Sequence, residues 1–191
     1  MALHVIIPVK PFDEAKRRLS PVMVATARAN LARKLFTHVL STVVEFADPR
    51  TVVVISRASE VLALAEARGA KPLAETSRSD LNAALRQAAE FSFQDGAAAL
   101  LVVASDLPLL QASDLAEMTD AETAIAPDRH GRGTNALLWP AKPALAFRFG
   151  EDSFARHLAA AKSAGFHPRI VSCPGLAHDV DVPEDLLDLS I

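Results

Sequence analysis

The sequence predicts an α/β fold, an open three-layer α/β/α arrangement around a mostly parallel mixed sheet, and three observations predict it. Short apolar runs rich in β-branched residues alternate with longer amphipathic stretches. Three of those runs, Leu3–Ile7, Thr51–Ser56 and Ala98–Ala104, are apolar almost throughout, as strands buried on both faces must be. The 191 residues are 50% apolar and 23% charged, enough to fill one core, so one domain is expected over 1–191.

Each element has its own warrant. Leu3–Ile7 is a strand closed by Pro8. Residues 9–22 carry Pro11 and Pro21 and read as a functional loop with about one turn of helix. Ala25–Phe46 is a helix, because Leu31, Leu35, Val39 and Val43 recur four apart while Arg28, Arg33 and Lys34 mark other faces. Asp48-Pro49 ends it. Thr51–Ser56 is a second strand, Ser59–Arg68 a short helix stopped by Gly69, and Lys71–Ala74 a third strand. Leu81–Phe93 is helical with Leu85, Ala88 and Ala89 inward, and Asp95-Gly96 turns the chain into the strand Ala98–Ala104. Ser113–Met118 is a helix with Ser113 as its N-cap. Thr123–Ala126 and Asn135–Trp139 are short strands around a Gly-rich loop. Asp152–Ala164 is an amphipathic helix ended by Gly165, Pro168–Ser172 a strand, and Pro183–Leu189 a last helix with proline in its first turn.

Composition excludes several classes. A single cysteine, Cys173, allows neither a disulfide framework nor a Cys-rich zinc site within the chain, and suits a reducing, cytoplasmic setting. Its apolar neighbours make it a small buried core residue. The longest apolar run, Ala97–Ala104, is far short of the ~20 residues of a membrane span. The N-terminus does not read as a signal peptide. The net charge of −3 argues against a nucleic-acid binder. That sum hides a split: residues 1–40 hold seven Lys/Arg against two Asp/Glu, while residues 174–191 hold five Asp/Glu and no Lys/Arg. A homodimer is compatible with this composition.

Ligands of open α/β sheets bind beyond the carboxyl ends of the strands. That rule selects loops 9–20, 75–81 and 105–110 and the segment 128–135. Asp106, in Ser105-Asp106-Leu107-Pro108, follows the most apolar strand; it is either a metal ligand or a turn cap. Asp179 and Asp181 share one face of an extended segment, where two like charges repel unless a cation lies between them. With Asp106 they make a three-carboxylate set suited to Mg²⁺. An acidic, solvated turn is the simpler alternative. Lys10, Lys16, Arg17 and Arg18 follow the first strand and suit phosphate groups, although any one of them singly reads better as a solvated charge. Gly131-Arg132-Gly133-Thr134 lets backbone N–H groups approach an anion and adds a hydroxyl, as hairpin turns also do. Gly150 to Ser153 opens a helix, where Ser153 either binds an anion or caps the helix. Leu81-Asn82 begins another helix, and the Asn82 amide either reads a base edge or belongs to a capping segment.

Taken in order these segments resemble one family over nearly the whole chain. Ile6-Ile7-Pro8-Val9-Lys10, Ala15-Lys16-Arg17-Arg18-Leu19, Asp80-Leu81-Asn82-Ala83-Ala84, Ser105-Asp106-Leu107-Pro108, Gly133-Thr134-Asn135-Ala136, Phe149-Gly150 with Ser153, and Asp179-Val180-Asp181 are similar to the 2-phospho-L-lactate guanylyltransferase family, CofC-like. The resemblance implies a nucleotide-diphospho-sugar-transferase fold of glycosyltransferase-A, MobA-like type. It implies transfer of GMP from GTP to a small phosphorylated carboxylic acid, with release of pyrophosphate, in coenzyme F(420) biosynthesis. The acid would be 2-phospho-L-lactate, phosphoenolpyruvate or 3-phospho-D-glycerate.

By the same resemblance Asp106, Asp179 and Asp181 hold Mg²⁺, and Thr134, Gly150 and Ser153 bind the acceptor phosphate. Lys10, Lys16 and Arg18 contact the triphosphate, and Leu81-Asn82 lies near guanine. Arg132 stands where a small polar residue is usual and is placed to pair with the acceptor carboxylate; Asp80 stands where glycine often precedes Leu-Asn. Glu184, Asp185 and Asp188 are left as ordinary helix charges. The two competing readings are a molybdenum-cofactor-type or sugar-phosphate nucleotidyltransferase and a non-catalytic nucleotide or phosphometabolite sensor. Val9-Lys10-Pro11-Phe12, in place of a Gly-rich first loop, counts against the first; the three Asp count against the second.

Overall fold

The three apolar runs lie at the centre of the sheet. In a computed structural model that describes residues 2–76, 80–142 and 146–187, β1 (Leu3–Pro8) pairs in parallel with both β2 (Val52–Ser56) and β4 (Ala99–Val103), and β2 pairs in parallel with β3 (Lys71–Ala74). Beyond β4 the direction changes. β6 (Thr134–Pro140) is antiparallel to β4, β5 (Ala124–Pro127) is antiparallel to β6, and β7 (Arg169–Ile170) is parallel to β5. The order is β3-β2-β1-β4-β6-β5-β7. The chain winds outward from β1 through β2 to β3 and then returns to β4, so a topological switch point lies between β1 and β4.

The helices are α1 (Ala25–Phe46), α2 (Ser59–Ala67), α3 (Leu81–Gln94), α4 (Ala112–Thr119), α5 (Ser153–Ser163) and α6 (Pro174–Ala177). Strand side chains alternate between the faces. Val5, Ile7, Val54 and Leu101 pack with Phe36, Val39 and Leu115 on the face of α1, α2, α4 and α6. Ile6, Val53 and Val102 pack with Leu85, Ala88 and Ala161 on the face of α3 and α5. Among the described residues no helix is long and apolar enough to cross a membrane.

Several boundaries differ from expectation for local reasons. The loop after β1 holds two 3-10 turns, Phe12–Glu14 and Arg17–Leu19, rather than one. α4 starts before Ser113: Gln111 is its N-cap, and the Asp114 carboxylate accepts the Gln111 N–H at 2.8 Å. The strand expected over Pro168–Ser172 shortens to Arg169–Ile170, and its contact with β5 ends at the Val171 N–H, which donates to Ile125 O at 3.0 Å. The helix expected over Pro183–Leu189 is a 3-10 turn, Pro183–Leu186, and the expectation for 188 and 189 lies outside the described residues. So do positions 77–79 of the loop selected as a ligand edge. Cys173 is a free thiol that is partly buried against the core.

Candidate active site

The carboxyl ends of β1 and β4 bring the two chain ends together. Lys16 sits between the two 3-10 turns with φ +54°, a left-handed backbone that is uncommon for a side chain with a Cβ. Its side chain is only 6% exposed and donates to Asp106, after β4, and to Asp181 Oδ1 at 3.2 Å. Burial alone would depress the Lys16 ammonium, but Asp106 and Asp181 outweigh it and hold its pKa above the ordinary value. Arg18, largely exposed, reaches within 3.8 Å of Asp181.

Asp106, Asp179 and Asp181 present oxygens within 4.8 Å of one another. Burial first, then Asp106, pushes the Asp179 carboxyl up to about 6, against the pull of the Asn135 amide, which donates to it at 3.3 Å. An all-oxygen set carrying more negative charge than Lys16 can neutralise is the chemistry that fits a hard divalent cation.

The support of these carboxylates was not visible in the sequence. Asp185, read as an ordinary helix charge, is 6% exposed. Its carboxylate accepts the amides of Asp181 and Val182 at 2.5 and 2.8 Å and pairs with Arg129. Desolvating it without those partners would be costly, so the ion pair fixes the loop that carries Asp179 and Asp181. The signal available was the position of Asp185 at the third residue of a turn opened by Pro183.

A second cluster forms on the other side of β6. Regular alternation would put Thr134 on the face of Ala136 and Leu138, but a register shift against β5 breaks it. Asn135 turns to the α6 side and donates to Leu176 O at 3.0 Å. Thr134 turns to α5, where Ser153 Oγ donates to its hydroxyl at 3.2 Å and His157 Nδ1 lies 3.0 Å away. Ser153 is buried and does not cap α5; Asp152 precedes it in a left-handed backbone. Gly150 takes φ +120° and its carbonyl accepts the Ser153 N–H at 3.2 Å.

The loop before Thr134 behaves differently from expectation. The N–H groups of His130, Arg132 and Gly133 donate to the Asp128 carboxylate at 3.1, 2.9 and 2.8 Å, so they hold an anion of the chain itself rather than of a ligand. Arg132 is exposed, and its carbonyl accepts the Phe154 N–H at 3.0 Å beside Ser153. The Asn82 amide is also occupied: it donates to Phe149 O at 3.0 Å and accepts from Phe149 N at 2.8 Å, tying α3 to the Gly150 segment. Asp80 caps α3 through Ala83 N at 2.9 Å. Lys10 and Leu81 are exposed and line a cavity of about 300 Å³ with Lys16 and Asp106. Its walls include Arg57 and Glu75, which pair with each other at 3.9 Å and which the sequence did not single out.

Residues 3–191 match the family model described as "Guanylyl transferase CofC like". The chain belongs to this family. Among its relatives, the phosphoenolpyruvate guanylyltransferase of Roseiflexus castenholzii is 40% identical over 190 residues, covering 100% of this chain and 89% of the relative. The 2-phospho-L-lactate guanylyltransferase of Methanothermobacter thermautotrophicus is 35% identical over 185 residues, covering 95% and 81%. A crystal structure of 4-diphosphocytidyl-2C-methyl-D-erythritol synthase superposes with a TM-score of 0.62 at 15% identity, covering 97% of this chain and 95% of the other; it shows the shared nucleotidyltransferase fold. Family and fold together make the chain a nucleotidyltransferase.

Proposed function

We propose that this protein transfers GMP from GTP to a small phosphorylated carboxylic acid, phosphoenolpyruvate or 2-phospho-L-lactate, with release of pyrophosphate, as a step in making coenzyme F(420). The observation that carries the reading is the placement of two unlike clusters on either side of the Thr134-Asn135 bulge. The three Asp lie on one side, with Asn135 donating to Asp179, and the Thr134–Ser153 hydroxyl pair lies on the other. 3-Phospho-D-glycerate is the third acceptor to be tested.

Asp106, Asp179 and Asp181 would hold Mg²⁺, which supplies charge neutralisation at the transferring phosphate. Lys10, Lys16 and Arg18 would contact the triphosphate: Lys16 stands at the carboxylates, and Lys10 lines the cavity. Leu81, at the start of α3, gives an apolar contact near the base, while Asn82 supports the site by holding Phe149. Thr134, Gly150 and Ser153 would bind the acceptor phosphate, with Arg132 toward its carboxylate. An acceptor phosphate oxygen attacks the α-phosphorus of GTP, the new P–O–P bridge forms, and the bond to the β-phosphate oxygen breaks with pyrophosphate leaving. That oxygen is already anionic at neutral pH, so no protein base is required; the chain contributes position and charge.

The test is incubation with GTP, Mg²⁺ and each of the three acids, with product mass and pyrophosphate measured. The expected result is a GMP adduct of at least one acid, lost in Asp106→Ala with the fold retained. GTP and acid binding without pyrophosphate release would favour the sensor instead, and near-normal turnover in Asp106→Ala would remove the metal assignment.

A further inference from the structure

His157 of α5 is fully buried and takes no part in the proposed transfer. Both of its ring nitrogens are engaged. Nε2 accepts the backbone N–H of Arg148 at 2.8 Å, so Nε2 carries no proton. Phe149 and Trp139 stand edge-on to the ring, with centroids at 4.7 and 6.0 Å, and fix its plane. Burial, with smaller contributions from the Arg156 and Arg148 charges, brings its pKa down to about 4, which leaves the ring neutral at pH 7. A neutral imidazole with a bare Nε2 has its one proton on Nδ1. Nδ1 therefore donates to Thr134 Oγ1 at 3.0 Å. Ser153 Oγ donates to the same oxygen at 3.2 Å. A hydroxyl oxygen offers two lone pairs and one proton. With both lone pairs of Thr134 filled, its remaining capacity is to donate.

We propose that His157 is a positioning residue for the acceptor, its Nδ1–H turning the Thr134 hydroxyl into an obligatory donor for the acceptor's phosphate. The opposite tautomer would set Nε2–H against the Arg148 N–H and leave Nδ1 to take the Thr134 proton, silencing that hydroxyl. The backbone of Arg148, two residues before Gly150, thus selects the tautomer, and the acceptor segment organises its own donor. The proposal rests on the acceptor-site reading of Thr134 and adds the group that sets its hydrogen-bond polarity.

Two measurements test it. In protein labelled with ¹⁵N-histidine, a two-bond N–H correlation spectrum at pH 7 should show His157 as the neutral Nδ1–H tautomer. An Nε2–H or doubly protonated ring overturns the proposal, and this readout needs no variant. In steady-state kinetics with phosphoenolpyruvate, His157→Gln places its amide where Nε2 was and loses the donor to Thr134; a lost donor to a charged group corresponds to roughly a 10-fold or larger rise in the acceptor KM. The KM for GTP should stay within about twofold. His157→Asn keeps an N–H near the Nδ1 position and should restore most of the acceptor KM. Equal rises in both KM values, or no rescue by Asn over Gln, overturn the proposal. Thr134→Val separates the two layers. An unchanged acceptor KM there removes the acceptor-site reading and the proposal with it. A raised one beside a normal KM in His157→Gln removes the proposal alone.

Discussion

Asn135 is the residue whose amide touches a carboxylate of the acidic cluster without being a candidate ligand, through Asp179 at 3.3 Å, and two backbone carbonyls of 176–177 hold that amide. Groups that orient a metal ligand commonly change affinity by about 10–100-fold when removed. Asn135→Ala should therefore weaken Mn²⁺ or Mg²⁺ binding, measured by calorimetry, by about that factor, beside a stability loss of about 1–3 kcal/mol from the buried Leu176 carbonyl left without that donor; unaltered metal affinity in the folded variant would contradict the role. Asp179 adds a pH dependence. Its carboxyl titrates at about 6 in the folded chain, chiefly through burial, against 3.8 ordinarily. Between those values the folded state keeps a proton that the unfolded state has released, so this group's contribution to stability is lost as pH rises through the window. The melting temperature of metal-free wild type, minus that of Asp179→Asn, should fall from about pH 4 to about pH 6.5. Saturating Mg²⁺ should reverse the fall, since the ion favours the ionised carboxylate. A difference independent of pH would sink the assignment.

At the scale of elements, the loop from Asp128 to Gly133 is organised by one carboxylate and three backbone amides. A Cβ on Gly133 would stand 2.7 Å from Asp128 Oδ2, and that carboxylate is pinned by the amides it accepts. Gly133→Ala should cost about 1–3 kcal/mol in chemical denaturation, as other insertions into packed sites do. It should also raise the acceptor KM, because Thr134 is the next residue; wild-type stability in that variant would contradict this account of the loop. The strands β1, β2 and β4 were legible because both of their faces are buried and continuous apolar runs signal that directly. The bulge at Thr134-Asn135 was not, since it exists only as a register against β5. The Gly-rich turn hid its occupant for a similar reason: which anion its amides hold is settled in space by Asp128, and the residue types suit either answer. Asn82 and Asp185 were legible as polar residues near helix starts, whereas their partners, Phe149 and Arg129, lie far away in sequence.

Across the whole molecule, the basic start and acidic end of the chain meet at the sheet's switch point, where Lys16 lies between Asp106 and Asp181. The net charge of −3 concealed this because complementary groups cancel in it. The resemblance placed the site's residue types in order along the chain, and the fold supplies what order alone does not: the Thr134–Ser153 hydroxyl pair and the acidic cluster flank one bulge, and the cavity opens beside Lys16. The central claim is that an acceptor phosphate oxygen attacks the α-phosphorus of GTP in this cleft. The most direct test supplies phosphoenolpyruvate carrying ¹⁸O in its phosphate, with unlabelled GTP and Mg²⁺, and reads the isotope in both products by mass spectrometry. The account requires all of the label in the guanylylated acid and none in pyrophosphate. Loss of one ¹⁸O from the adduct would mean that an oxygen of GTP forms the new bridge, and would contradict it.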